Sequence, residues 1–201
     1  EMPDTYLPGE HDLVGVITGV VEKDKIITGE SIRPGDVVLG LPSSGLHTNG
    51  YSLARKLFFE VAGHDVNDLI PELEKSVGLT LLEPHINYTN HVFALLDAGI
   101  DVKGISHITG GGLIENIPRI LPDGIGVDIQ KESWPVPPVF KLMKKLGNID
   151  CDEMRRTFNM GIGIVFIVDP HNVDTVENAL EDLTTVYEIG SVVSGKKEVG
   201  F

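Results

Sequence analysis

Apolar and polar positions alternate along the chain in two rhythms, and the rhythm switches back and forth along the chain. "DLVGVITGVVE", residues 12–22, is β-branched and dotted with glycine, and predicts a long strand. "GDVVLGLP", 35–42, predicts a short buried strand. In "NGYSLARKLFFEVAG" the apolar residues Leu53, Leu57 and Val61 recur every four positions, which predicts an amphipathic helix with Gly63 as its stop. Residues 64–80 show no period. "HINYTNHVFALLDAGI", 85–100, predicts a helix ending at Gly99, and a strand follows over 102–108. The triple glycine 110–112 then leads into a short helix limited by Pro118.

The second half continues the alternation. A strand is expected over 125–130, a helix over 137–147 with proline in its first turn, and a short helix over 151–158. A strand over 161–168, a helix over 172–183 and a strand over 184–193 complete the chain. There is no repeat and no linker. Residues 1–10, with Pro3, Pro8 and Gly9, are an irregular lead-in, and 11–201 form one α/β domain with a hairpin-like start and a mixed sheet covered by helices.

Composition narrows the function classes. The 201 residues carry a net charge of −14, with no basic stripe, so nucleic acid is repelled by most of the surface. No apolar run is long enough to span a membrane and no signal-peptide pattern opens the chain. The single cysteine, Cys151, excludes an internal disulfide, and a cytoplasmic setting is expected. The absence of a methionine before Glu1 points to an excised or processed piece.

Three glycine-bearing loops carry the candidate chemistry. "SSGLHTNG", 43–50, and "TGGG", 109–112, each lie between a strand and a helix. Backbone N–H groups freed from Cβ obstruction, together with a helix N-terminus, suit a phosphate; a tight turn with an Asn49 cap is the plainer alternative. "RTFNMGIG", 156–163, places Asn159 between a helix end and a strand start. Of seven histidines, His47 and His107 stand out because each lies in such a loop at the C-terminal end of a strand, where α/β sheets place ligands. Either suits phosphate binding as a cation or proton transfer. His64, His85, His91 and His171 read as loop or helix-surface residues. Arg119 suits a phosphate or an ion pair with Glu115. There is no metal-ligand spacing, no GxSxG and no GxxxxGK[ST].

"EMPDTY", "GVVEK", "GDVVLGLPSSGLHTNGYSLARK", "HITGGGLIENIPRILP" and "RTFNMGIG" together resemble the AIR synthetase family, the phosphoribosylformylglycinamidine cyclo-ligases of purine biosynthesis. The resemblance covers nearly the whole chain, in order. It implies a C-terminal domain, a three-layer α/β/α sandwich with a mixed sheet, lacking an N-terminal domain that brings most of the ATP and Mg2+ site and the homodimer interface. It also implies ATP-dependent closure of formylglycinamidine ribonucleotide to aminoimidazole ribonucleotide, with ADP and phosphate released, and a fragment inactive by itself. On this resemblance His107 is the catalytic proton carrier. Ser44, Gly45, His47, Asn49, Thr109, Gly110, Gly111, Gly112, Asn116, Arg119 and Asn159 would bind substrate, and Glu1 would touch the nucleotide. The metal ligands stay unassigned. Related superfamily members, selenophosphate synthetase and thiamine-monophosphate kinase, tend to carry Asp near His107 for metal binding, so the histidine favours the cyclo-ligase over them. A non-catalytic phosphate-binding module is the alternative from another class.

Overall fold

A computed structural model describes residues 9, 11 and 13–201. Among these residues there are eight strands and seven α-helices; six of the strands form one sheet, order β4-β6-β1-β7-β5-β8, and β2 and β3 make a two-stranded ribbon apart from it. The six strands are β1 (Val37–Pro42), β4 (Val102–His107), β5 (Ile125–Ile129), β6 (Ile162–Val168), β7 (Tyr187–Ser194) and β8 (Val199–Gly200). All neighbours are antiparallel except the short parallel β5–β8 pair, which makes the sheet mixed.

Every residue of β6 is buried, so both faces of the sheet are covered. Alternation along β1 explains how. Val37, Leu39 and Leu41 point to one side, where α3 (Thr89–Asp97) and α7 (Val173–Leu180) supply Leu95, Val176 and Leu180. Val38 points to the other side, where α4 (Gly112–Asn116) and the following 3-10 turn (Ile117–Ile120) supply Leu113 and Ile117. Two helical layers around a sheet match the expected sandwich. A third apolar cluster gathers α1 (Tyr51–Arg55), α2 (Val77–Leu81), α5 (Pro138–Gly147) and α6 (Cys151–Thr157) around Phe58, Phe140 and Phe158.

Several expectations need correction. No strand forms over 13–22, and Val14, Val16, Ile17 and Val20 are almost fully exposed. β-Branching supplies local propensity, but a strand needs a hydrogen-bonding neighbour, and β1 pairs with β6 and β7 instead. Among the described residues, therefore, no hairpin forms at the start. Residues 1–8, 10 and 12, including most of the lead-in, lie outside the described residues. The helix from Tyr51 widens to a π-helix over Lys56–Val61, with His64 N–H reaching Phe58 O. Its extra residue per turn rotates Val61 to the surface and leaves Leu57 and Phe58 adjacent in the core. The stretch 64–80 holds the β2 (Leu69–Ile70) and β3 (Lys75–Ser76) pair, followed by α2 with Ser76 as its N-cap. The helix expected from 85 starts only at Thr89, which leaves 85–88 as an irregular segment beside the strand ends.

Gly112 explains one of the three glycines. It has φ +57°, and a Cβ there would stand 2.7 Å from Phe158 O and still closer to Arg155 O. The turn can thus lie flat on α6 only with glycine at this place. Gly110 meets no such obstacle, since a Cβ would have ordinary contact with Asn49 Oδ1 at 3.5 Å. Gly112→Ala is expected to cost about 3 kcal/mol, lowering Tm by roughly 6–12 °C, whereas Gly110→Ala costs less than about 1 kcal/mol. Thermal and urea melts of the two variants check this, and equal losses would refute it.

Candidate functional site

The loops after β1 and β4 meet, and a single side chain joins them. Asn49 Oδ1 accepts from Gly110 N–H at 2.9 Å, while its Nδ2 donates to His47 O at 2.7 Å. The first loop is under backbone strain: His47 (φ +50°) and Thr48 (φ +64°) are successive non-glycine residues in the left-handed region. The second is held by Asn116. Its Nδ2 donates to Thr109, Gly110 and Gly112 carbonyls, and its Oδ1 accepts from Thr109 Oγ1. Asn159 does the same for the first loop, accepting from Ser43 Oγ and Gly161 N–H and donating to Gly45 O. Both asparagines are buried and engaged with the protein itself.

Three histidines gather at this meeting point, two of them stacked. The His47 and His85 rings lie 4.1 Å apart at 17°, and His85 Nε2 sits 3.0 Å from His107 Nε2. Tyr88 lies edge-on to His107 and His91, with its hydroxyl donating to Pro42 O at 2.7 Å. A Cβ at Gly163 would collide with the Tyr88 ring and approach His47, so glycine in β6 makes room for this aromatic group. His85, Tyr88 and His107 line an open pocket of about 490 Å3, floored by Ile164.

The protonation states follow from the bonds. His47 Nε2 accepts from the N–H groups of Ser44 (3.0 Å) and Ile86 (3.4 Å), so its proton resides on Nδ1. That nitrogen is buried without a hydrogen-bond partner. Burial, reinforced by the nearby His85 and His107 charges, pulls the His47 imidazole down to about 4. Burial and then His85 lower His107 as well, and burial lowers His91 and raises the Tyr88 phenol. At neutral pH, therefore, His47 and His107 are neutral. Between the facing Nε2 atoms of His85 and His107, one proton is shared: one nitrogen donates and the other accepts.

Of the residues singled out in the sequence, the structure brings together Ser44, Gly45, His47, Asn49, Thr109, Gly110, Asn116, His107 and Asn159. His47 is buried and neutral, which disfavours the cationic one of the two roles weighed for it. Ser44 Oγ is engaged with Pro84 O. The Glu115 side chain lies over Gly111. Arg119 is exposed and forms no ion pair with Glu115, another correction. Glu1 lies outside the described residues. Sequence reasoning missed His85 and Tyr88, and it placed the buried His91 on the surface. The signal available for the first two was the Pro84 immediately before His85, which blocks helix at that point.

A layered α/β domain with polar loops meeting at strand ends defines the class of protein to which this chain belongs. Within that class, residues 33–201 match the AIR synthase related protein, C-terminal domain, and the chain belongs to that family. Among curated relatives, the phosphoribosylformylglycinamidine cyclo-ligase of Alkaliphilus oremlandii (strain OhILAs) is 46% identical over 200 residues, covering 99% of this chain and 58% of the relative. The protein of that name from Geotalea daltonii is 50% identical over 193 residues, covering 96% and 55% respectively. The chain thus spans somewhat more than half the length of these relatives. Two solved structures share the fold at lower identity. Thiamine-monophosphate kinase from Stenotrophomonas maltophilia K279a has a TM-score of 0.60 at 16% identity, over 90% of this chain and 54% of that one. Hydrogenase maturation protein HypE has a TM-score of 0.57 at 18% identity, over 89% and 53%. Among the described residues, no helix is long and apolar enough to cross a membrane.

The His47 shift sets a pH dependence of stability. Its folded value is depressed from 6.5 to about 4, so the stabilisation held by the neutral ring is full above pH 6.5 and is lost as pH falls toward 4. Urea midpoints should fall over that window, and His47→Gln, which cannot titrate, should flatten the fall. An unchanged slope in the variant would contradict the assignment.

Proposed function

We propose that this chain is the substrate-binding, C-terminal part of a phosphoribosylformylglycinamidine cyclo-ligase. The observation that carries the reading is the convergence of both glycine loops on His47, His85 and His107 beside an open pocket, in a chain whose relatives bear that name. The reaction converts formylglycinamidine ribonucleotide and ATP to aminoimidazole ribonucleotide, ADP and phosphate. Phosphoryl transfer from ATP turns the formyl oxygen into a leaving group, and a nitrogen of the substrate closes the ring.

Ring closure by nitrogen releases a proton. His107, half of the proton-sharing pair and kept neutral by burial, accepts it at Nε2 once His85 donates elsewhere or rotates away. Tyr88 holds the pair in place through its bond to Pro42. The turn Thr109–Gly112 receives the ribose phosphate, and the exposed Glu115 side chain must swing off Gly111 to admit it. The described residues do not fit Mg2+. No group of three or more His, Cys, Asp or Glu side chains is placed to hold a metal, and imidazole nitrogens suit this hard cation poorly. ATP, Mg2+ and the homodimer interface belong, on this reading, to the part of the parent that this chain does not span, in a cytoplasmic enzyme.

The test joins the chain to the sequence that precedes it in its parent and measures ADP release. Turnover requiring both ATP and formylglycinamidine ribonucleotide is expected, with the chain alone inactive. His107→Asn should lower kcat about 100- to 10,000-fold with KM little changed. ADP release that ignores the ribonucleotide, from a folded ATP-binding protein, would overturn the substrate assignment.

A further inference from the structure

A second cavity, about 480 Å3, opens beside α6 and shares no lining residue with the histidine pocket. Its apolar wall is aromatic: Trp134, Phe158 and Phe201. Trp134 is nearly buried and fixed, since its indole N–H donates to Met160 O at 2.9 Å. Its rim is cationic. Lys131, Lys141, Lys144 and Arg155 line it against a single carboxylate, Glu132. Arg155 is partly committed, pairing with Asp152 at 2.9 Å and stacking 4.7 Å over the Phe201 ring. Lys144 Nζ donates to Cys151 Sγ. Lys131 and Lys141 are exposed and make no ion pair.

This arrangement is unusual for the chain that carries it. With a net charge of −14, the surface as a whole repels anions, yet four of the 16 Lys and Arg residues gather around one cavity. Phosphate alone would leave the aromatic wall wet, and a neutral apolar molecule would leave the cations unused. We propose that the cavity is a second small-molecule site, for an aromatic or heteroaromatic anion. The flat ring lies among Trp134, Phe158 and Phe201, and the carboxylate or phosphate is held by Lys131, Lys141 and Lys144 at the rim.

The site is wired to the first. Leu113 follows the glycine turn directly and forms part of the cavity wall. The Arg155 and Phe158 carbonyls, from residues whose side chains line the cavity, are the atoms on which Gly112 rests. Occupancy therefore bears on the position of the turn at the histidine stack. The proposal does not depend on the cyclo-ligase reading, because it uses none of the histidines.

Phenyl phosphate is the probe, followed by calorimetry and by the emission of Trp134, the only tryptophan in the chain. Saturable binding with a change in emission is expected, with benzyl alcohol and inorganic phosphate each at least about tenfold weaker, a gap of roughly 1.4 kcal/mol. The double variant Lys131→Gln/Lys141→Gln, at exposed positions, should melt like the parent and bind phenyl phosphate about tenfold more weakly or worse. His107→Asn should leave this binding intact. Equal binding of benzyl alcohol, equal binding of inorganic phosphate, or unaltered affinity in the lysine variant would overturn the proposal. So would binding lost in His107→Asn, which would place the probe in the histidine pocket, and so would the absence of saturable binding.

Discussion

The backbone of Gly112 lies on the carbonyls of Arg155 and Phe158, and much of the molecule's chemistry is arranged around that contact. Because the turn cannot rise off α6, Asn116 can collect three of its carbonyls with one side-chain amide. Because the turn is fixed, Gly110 N–H is aimed at Asn49, which ties in the strained loop of His47. A left-handed turn with no side chain thus sets the distance between two loops that are 61 residues apart in sequence.

The polar groups behind this arrangement are mostly spent on the protein. Asn49, Asn116 and Asn159 shape loops with hydrogen bonds that a ligand would otherwise take, and the reacting face falls to rings: His85, Tyr88 and His107. His47 and His107 are neutral for a shared reason: burial penalises the charged form of each, and the imidazole of His85 beside them adds to the penalty. At neutral pH His47 and His107 therefore carry no positive charge to clamp an anion, and the unprotonated imidazole is the form in which a histidine can accept a proton.

Elements with a clear period and a turn signal at each end were legible in the sequence. β1, β4, β6, α5 and the helix stop at Gly99, which adopts φ +70°, all lie where the pattern puts them. What depends on partners distant in sequence was not. The run at 12–22 has strand composition, yet its described residues 13–22 join no sheet, and the π-helix after Arg55 follows from packing Leu57 and Phe58 side by side. Of the site, the loops and His107 were visible because glycine and histidine in a strand-to-helix connection have few other uses. His85 was not, because its role comes from stacking on His47, 38 residues earlier, a contact that no local pattern encodes. Asn49, Asn116 and Asn159 were picked out as substrate-binding, yet their partners are backbone carbonyls and amides and the hydroxyls of Ser43 and Thr109.

The segment around Val14, Val16, Ile17 and Val20 has a consequence for handling the chain. These four side chains stand in water on a stretch that forms no strand among the described residues, and β-branched stretches of this kind recruit one another edge to edge. Glu22, Asp24 and the surplus of negative charge elsewhere oppose that recruitment electrostatically. Colloidal behaviour should then hinge on ionic strength: dilute buffer keeps molecules apart, and concentrated salt, by screening the repulsion, exposes a latent tendency to form intermolecular sheet.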